Sequence, residues 1–182
     1  MTTLEEALFR FTSILEGLNI NYAIIGAIAS GIYGLPRTTY DIDILLNIEK
    51  IKIPPFLEGL KDKGFSFNEK ILDELNEGYL SEAHYKNVRV DILLPVLPYF
   101  NEVIEGAISF NFLNRKIRFA RPEDLIILKL LSNRGSDKED IFGIKEINYS
   151  LNISYIKDSL KRLIGEKHPS FVAFEQIFEE QI

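Results

Sequence analysis

The chain has 182 residues and a net charge of -6, with 46% hydrophobic and 26% charged residues. This composition is typical of a globular protein and excludes an intrinsically disordered chain. The lack of cysteine excludes disulfides, thiolate metal sites and a cysteine nucleophile. The acidic balance argues against an extended, sequence-independent grip on nucleic acid, although a local basic patch is still allowed.

The N-terminal segment lacks the features of a targeting sequence. MTTLEEALFRF carries acidic residues where a signal peptide needs basic ones. No apolar run approaches the ~20 residues of a membrane span. We therefore expect a cytoplasmic protein without membrane contact.

The first elements of the chain are a predicted helix and a predicted strand. Apolar residues at helical spacing predict a helix over 4–18, and Thr3 and Glu6 have the spacing of a capping box. The short apolar run 21–26 ends in Gly26 and is followed by small residues. This pattern predicts a buried strand, a turn and a short helix.

Two alternating segments predict neighbouring strands of one sheet. Polar and apolar residues alternate over 40–48, after a loop fixed by Pro36, and again over 84–95, which Pro95 terminates. Between them we expect a helix opened by Pro54 and Pro55 that ends at Gly64, a short strand at 65–67, and one or two helical turns at 69–76.

The second half of the chain predicts a helix at 99–107, a hairpin and further helices. The hairpin is expected to turn at Asn114 and Arg115. Pro122 opens the clearest helix, which Gly135 follows. The remaining signals are a second capping box at Ser136 and Glu139, then helices near 154–164 and 170–181. Strands alternating with helices predict an α/β or α+β fold, with a sheet flanked by helices.

Three aspartates are candidates for a divalent-metal site. Asp41 and Asp43 lie two apart on a predicted strand and therefore project from the same face. In the later strand Val88, Val90 and Ile92 form the inward set, which places Asp91 on the opposite face with Arg89 and Leu93. Close carboxylates repel one another unless a hard cation such as Mg²⁺ or Mn²⁺ neutralises them. The alternative is that Asp41 and Asp43 are the solvated side of a half-exposed strand.

A glycine upstream adds a candidate phosphate site. Gly26 lies at a strand end that runs into the start of a helix, where backbone N–H groups can meet a phosphate. A phosphate cradle beside a metal cluster implies a nucleoside triphosphate (NTP). The alternative is an ordinary turn glycine.

These blocks resemble the nucleotidyltransferase superfamily that includes DNA polymerase β. More specifically, IIGAIASGIYGLPRTTYDIDILL, VRVDILLP and RPEDLIILKLLSNRGSDKEDI resemble the minimal nucleotidyltransferases of the AbiEii type, the toxin half of toxin–antitoxin systems. The likeness runs from about residue 20 to 142. It implies a nucleotidyltransferase fold over 1–148, with residues 149–182 as a helical extension packed on it.

The resemblance also implies roles for individual residues. Asp41 and Asp43 would bind two metal ions, and Asp91 would help to deprotonate an acceptor hydroxyl during attack on the α-phosphate. The remaining nucleotide-binding candidates are Gly26 and Ala27 at the β- and γ-phosphates, Ser30 near them, Arg37 and Thr38 at triphosphate or acceptor, and Lys129 at the triphosphate. For Lys129 the alternative is a solvated helix stripe. Secondary candidates are Arg134, Asp137 and Asp140, which capping and exposure would also explain.

One position departs from the family pattern. Ala27 stands where the family has Gly or Ser, so a backbone N–H is kept but a serine hydroxyl is lost. The leading prediction is an Mg²⁺-dependent transferase that moves a nucleoside monophosphate from an NTP to RNA, including tRNA, or to protein, with a cognate antitoxin as a further partner. The alternative is a catalytically silent binding or assembly subunit of the same fold. The basic residues Arg115, Lys116, Arg118 and Arg121 either contact RNA or protect an edge strand.

Overall fold

The computed structural model describes residues 2–132, 134–135, 137–147 and 150–178. Its strands are β1 (Asn21–Ile25), β2 (Asp41–Asn47), β3 (Ser66–Phe67), β4 (Ser81–Tyr85), β5 (Val88–Leu93), β6 (Ile108–Phe112) and β7 (Arg115–Phe119). Within these ranges they form a seven-stranded sheet in the order β3-β4-β5-β2-β1-β7-β6. β2 is parallel to β5 and antiparallel to β1, while β1 is parallel to β7.

Helices account for most of the remaining described residues. They are α1 (Thr3–Gly17), α2 (Gly26–Tyr33), α3 (Ile53–Asp62) after a 3₁₀ turn at Lys50–Lys52, α4 (Ile71–Glu77), α5 (Pro98–Glu105), α6 (Pro122–Ser132), α7 (Asp137–Ile147), α8 (Ile153–Ile164) and α9 (Pro169–Phe178). In the described part of the chain no helix combines the length and the apolar character needed to cross a membrane. A mixed sheet with helices confirms the predicted α/β class.

The chain divides into two compact units. The strand unit comprises Met1–Ile28 and Thr38–Ala120, and the helical unit comprises Ala29–Arg37 and Arg121–Ile182. The division of the chain into a domain over 1–148 and an extension over 149–182 stays a prediction.

Alternating burial along β2 and β5 fixes the sheet of the strand unit. Ile42 and Ile44 of β2, and Val90 and Ile92 of β5, are fully buried, as the predicted inward set requires. Burying a side chain of this size contributes about 1.5–3 kcal/mol each. A slip of one residue would turn the whole set to the other face, so the apolar pattern also fixes which residues face outward.

The capping box of α1 uses a different pair of residues from the predicted one. The Thr2 hydroxyl accepts from the Glu5 N–H at 3.3 Å, and the Thr2 N–H donates to the Glu5 carboxylate at 2.7 Å. The predicted pair of Thr3 and Glu6 is therefore wrong. The sequence TTLEE contains both frames. The Thr2 frame is favoured because the Glu6 carboxylate is engaged by Tyr85 and Lys86.

Two turns also differ from the sequence expectation. The segment 84–95 is not one strand, because β4 ends and β5 begins at a tight turn in which Lys86 has a φ of +54°. The β6–β7 hairpin is confirmed, but its turn lies one residue earlier than predicted, at Leu113 and Asn114, with φ of 48° and 65°. Neither turn contains glycine, so the sequence lacked its usual marker for positive φ.

In the helical unit the predicted helices are found, with Pro122 at the first position of α6. The predicted end of the last helix, at 179–181, lies outside the described residues. The proposed capping box at Ser136 lies outside the described residues. Two glycines allow a close backbone contact within this unit: a Cβ on Gly34 would lie 2.9 Å from the Gly143 carbonyl carbon. A side chain at either position would therefore separate the segment after α2 from α7.

Candidate active site

The parallel ladder between β2 and β5 brings the three predicted carboxylates onto one face of the strand unit. Asp43 and Asp91 are directly opposite Cα partners, and Asp41 is opposite Arg89. Neighbouring strands lie about 5 Å apart, so side chains of directly opposite residues begin at about that separation. All three aspartates are partly exposed, whereas Ile42, between Asp41 and Asp43, is buried. We refer to Asp41, Asp43 and Asp91 as the carboxylate face.

Gly26 lies against the Asp43 carboxylate. It begins α2 with a φ of +66°, and a Cβ built on it would overlap Asp43 Oδ2. Glycine is therefore required twice, once for the left-handed backbone and once for the space. Ala27, the departure from the family pattern, is 6% exposed, so its methyl group is part of the core. The close approach of this strand end to the carboxylate matches the glycine turn that the sequence predicts beside the aspartates.

Arg89 binds two of the three aspartates. Its Nε lies 3.0 Å from Asp91 Oδ1 and its Nη2 lies 3.2 Å from Asp41 Oδ2. The Thr39 hydroxyl also bonds to the Asp41 carboxylate. The side chains of Arg89, Asp41 and Asp91 are 48%, 38% and 18% exposed, so these ion pairs remain in contact with solvent.

A fourth carboxylate, Glu82, was missed by sequence reasoning. In the antiparallel β4–β5 pair it is the direct partner of Asp91, and it is exposed. Burial raises the pKa of the Asp91 carboxyl, Arg89 opposes that rise, and Asp41 and Glu82 add to it. Recognising the turn at Lys86 would have placed Glu82 on this face, because the alternation of β4 then follows from the register.

The side chains on this face suit a hard divalent cation. Carboxylate oxygens from two neighbouring strands are ligands that Mg²⁺ and Mn²⁺ prefer. Among the residues that the structure describes, no three metal-binding side chains are close enough to hold an ion as they stand. Arg89 instead contacts Asp41 and Asp91, so the carboxylates fit a metal chemically, but their side chains would have to rearrange around it.

The other candidate nucleotide-binding residues have different surroundings. Thr38 is exposed in the strand unit, and Ser30 is buried in the helical unit. In the helical unit Lys129 Nζ lies 2.5 Å from Asp140 Oδ2 and 3.5 Å from Asp137 Oδ1. The alternative of a solvated Lys129 is wrong, because this residue is 7% exposed.

Further contacts complete this group within the helical unit. The Arg37 Nε lies 3.1 Å from Asp140 Oδ1. Asp137 accepts hydrogen bonds from the Ser132 hydroxyl and from the Arg134 N–H. We call Arg37, Lys129, Asp137 and Asp140 the buried ion cluster. Its three helix residues are buried, whereas the Arg37 side chain is 42% exposed. Its members satisfy one another, so the roles of Arg37 and Lys129 at a triphosphate stay predictions.

The basic residues near the β6–β7 hairpin make contacts within their own units. The Arg115 guanidinium lies 4.7 Å from the centre of the Phe9 ring, and Arg118 donates to the Ile104 carbonyl at 2.8 Å. In the helical unit Arg121 pairs with Asp124 at 2.7 Å. β7 lies between β1 and β6, so the predicted protection of an edge strand by Arg115, Lys116 and Arg118 is wrong. The contact of these residues with RNA stays a prediction.

Comparison with known proteins gives a family and a fold. Residues 4–170 match the family described as "Nucleotidyl transferase of unknown function (DUF2204)". No curated protein matches the chain significantly by sequence.

Similar solved structures share the fold at low sequence identity. They include an antigenic nucleotidyltransferase-like protein from Paracoccidioides brasiliensis, at 19% identity and a TM-score of 0.62, over 95% of this chain and 92% of that one. ANT(2")-Ia in complex with adenylyl-2"-tobramycin has 14% identity and a TM-score of 0.61, over 97% and 99%. Lincomycin-bound lincosamide antibiotic adenylyltransferase LnuA has 18% identity and a TM-score of 0.54, over 79% and 97%. Because the family match spans most of its length, the chain belongs to this nucleotidyl transferase family.

Proposed function

We propose that the protein is a Mg²⁺-dependent nucleotidyltransferase that moves a nucleoside monophosphate from an NTP to a hydroxyl group. One observation carries the proposal: Asp43 and Asp91 are direct partners across two strands, and Gly26 abuts the Asp43 carboxylate. If Asp41 and Asp43 were only the solvated face of a strand, neither the pairing of Asp43 with Asp91 nor the close contact of Gly26 would be needed. Both features support a site that receives a cation and a phosphate together.

Asp41, Asp43 and Asp91 would hold the metal. Divalent cations bound by these carboxylates would neutralise the charge that develops on the phosphates. Asp91 would accept the proton of the acceptor hydroxyl, whose oxygen forms a bond to the α-phosphorus. The bond from that phosphorus to the bridging oxygen breaks, and pyrophosphate leaves with the electron pair. The backbone N–H groups at Gly26 and Ala27 would donate to the outer phosphates.

For the acceptor, our first candidate is a hydroxyl of RNA, including tRNA, or of protein. The resemblance to AbiEii-type toxins supports this choice and implies a cognate antitoxin as partner.

A second candidate is a hydroxyl of a small molecule. Two structures of similar fold are described with small molecules, one as a lincomycin-bound lincosamide antibiotic adenylyltransferase and one in complex with adenylyl-2"-tobramycin. The net charge of -6 and the internal contacts of Arg115 and Arg118 also favour a compact acceptor over a long nucleic acid.

A catalytically silent subunit of the same fold remains the alternative to an enzyme. Ala27 supports it, since no hydroxyl at this position can contact the triphosphate. The backbone N–H groups remain, so nucleotide binding without transfer is the property that would distinguish such a subunit.

Incubation with each labelled NTP and Mg²⁺, in the presence of total RNA, total protein or a small-molecule extract, tests the proposal. The wild type should transfer label to one of these fractions and release pyrophosphate. Asp43→Asn should lose at least about 100-fold in rate, as expected when transition-state charge stabilisation is removed. The matched control, Asp73→Asn, changes an exposed aspartate on α4 and should leave the rate unchanged. Nucleotide binding without transfer to any fraction would favour the silent subunit.

A further inference from the structure

Arg89 is positioned to bind two aspartates of the carboxylate face at once. It is the direct ladder partner of Asp41 and lies two residues before Asp91 on β5, so the three side chains share one face. Different N–H groups serve the two carboxylates, Nε for Asp91 and Nη2 for Asp41. The diverging donors of a guanidinium make such a double contact possible.

The double contact is too exposed to be a strong contribution to folding. Arg89 and Asp41 keep 48% and 38% of their side-chain surface in contact with solvent, and exposed ion pairs contribute little to stability. Asp41 also has a second partner in the Thr39 hydroxyl. The carboxylate therefore keeps an anchor when Arg89 leaves.

We propose that Arg89 is a built-in counter-cation that competes with a divalent metal ion for Asp41 and Asp91 and so sets the metal affinity of the site. The inference rests on the proposed function, because it requires these aspartates to be metal ligands. Both cations need the same carboxylate oxygens, and the positive charge of Arg89 also opposes a second cation nearby. Arg89 is thus a positioning residue that acts through the two aspartates.

The inference predicts that removing Arg89 tightens metal binding. Mn²⁺ is titrated into the nucleotide-free protein, and free Mn²⁺ is measured by electron paramagnetic resonance, which requires no catalytic activity. Arg89→Gln should bind Mn²⁺ roughly two- to thirtyfold more tightly than the wild type, the range expected for the loss of two exposed ion pairs. Arg89→Lys keeps the charge without the double contact and should bind with intermediate affinity.

The control for total charge is Lys86→Gln. Lys86 lies in the turn of the same β4–β5 hairpin, but its Nζ binds Glu6 at 2.9 Å. This variant should change Mn²⁺ affinity by less than about twofold, since an exposed charge outside the site is screened by salt.

The outcomes separate this inference from the proposed function. If the wild type binds Mn²⁺, Asp43→Asn loses that binding, and Arg89→Gln binds equally or more weakly than the wild type, the competition is overturned while the metal site stands. If Asp43→Asn binds Mn²⁺ as the wild type does, or the wild type does not bind it, the metal site fails and the competition fails with it. Circular dichroism of the variants verifies that each one is folded.

Discussion

The carboxylate face and the buried ion cluster use similar residues in opposite ways. In the first, the aspartates and their partner Arg89 are partly exposed, and Arg89 is 48% exposed. In the second, the side chains of Lys129, Asp137 and Asp140 are 8%, 9% and 3% exposed, and only Arg37, at 42%, reaches solvent. Removing one partner of a buried ion pair strongly destabilises the folded protein. An exposed ion pair, in contrast, can exchange partners at little cost in free energy. Burial, more than charge composition, therefore separates ion pairs that can exchange partners from ion pairs that are costly to break.

Arg37 and Lys129, the predicted nucleotide-binding residues of the helical unit, make ion pairs within that unit. Arg37 links the loop after α2 to Asp140 of α7, and Lys129 of α6 reaches the same carboxylate. The cluster therefore joins three segments of the helical unit. Binding a triphosphate with Lys129 would require separating a buried pair, which is costly.

The sharpest test of the comparison, and the largest expected effect, is Lys129→Met. This change leaves two buried carboxylates without their lysine and should lower the free energy of unfolding by about 3 kcal/mol. Urea denaturation measures the loss. Lys138→Met, at an exposed position of α7, is the control and should change stability by less than about 0.5 kcal/mol. If Lys129→Met has the stability of the wild type but binds NTP more weakly, Lys129 binds the nucleotide and does not stabilise the fold.

A smaller effect on stability is expected for Gly26→Ala on the carboxylate face. The new Cβ would collide with Asp43 Oδ2, and the φ of +66° is unfavourable for alanine. We expect a loss of about 1–2 kcal/mol in unfolding free energy. Mn²⁺ affinity should fall as well, because Asp43 has to move.

The matched control is Gly17→Ala, where nothing lies within 4 Å of the added Cβ. It should leave Mn²⁺ binding unchanged. Unaltered Mn²⁺ binding in Gly26→Ala would mean that Asp43 is not held by this contact.

The smallest effect concerns Glu6, which forms ion pairs on the strand unit that have no proposed function. Hydrogen bonds from Lys86, Tyr85 and Arg10 lower the pKa of Glu6 from 4.5 to about 2. Because the pKa of Glu6 is lower in the folded than in the unfolded chain, its charge stabilises the folded state at pH values above 4.5. This stabilisation is lost as the pH falls from 4.5 through about 2. The melting temperature of the wild type should therefore exceed that of Glu6→Gln at neutral pH, with the gap closing near pH 2.

Glu58→Gln, at an exposed position of α3, provides the reference for Glu6. Its melting temperature should follow that of the wild type at every pH. A gap between wild type and Glu6→Gln that persists below pH 2 would show that the side chain contributes by packing, independently of charge.

Sequence periodicity was sufficient to predict which residues of β2 and β5 face outward. The outward direction of Asp41, Asp43 and Asp91 follows from the buried residues beside them, because strand side chains alternate strictly. The pairing of the two strands was also expected, and the structure confirms it with Asp43 opposite Asp91. Gly26 could be predicted because a glycine between a buried strand and a run of small residues is typical of a tight backbone turn.

The features that the sequence could not reveal depend on contacts between distant residues. The position of Glu82 beside Asp91 depends on the turn at Lys86. The sequence did not indicate this turn, because lysine rarely adopts a positive φ. The partners of Lys129 are on another helix, and no local pattern distinguishes a buried ion pair from a solvated one. The preference for Thr2 over Thr3 as the cap likewise depends on Glu6 contacting Tyr85 and Lys86.

The shared register of β2 and β5 makes the arrangement of the proposed metal site depend on correct folding. If β5 paired one residue out of step, Val90 or Ile92 would take the place of Asp91, and the aspartate would enter the apolar interior. Molecules with this register error would lose the proposed metal site and would also be unstable. A library of variants in the interior of this sheet, selected only for folding, should therefore also keep Asp43 opposite Asp91.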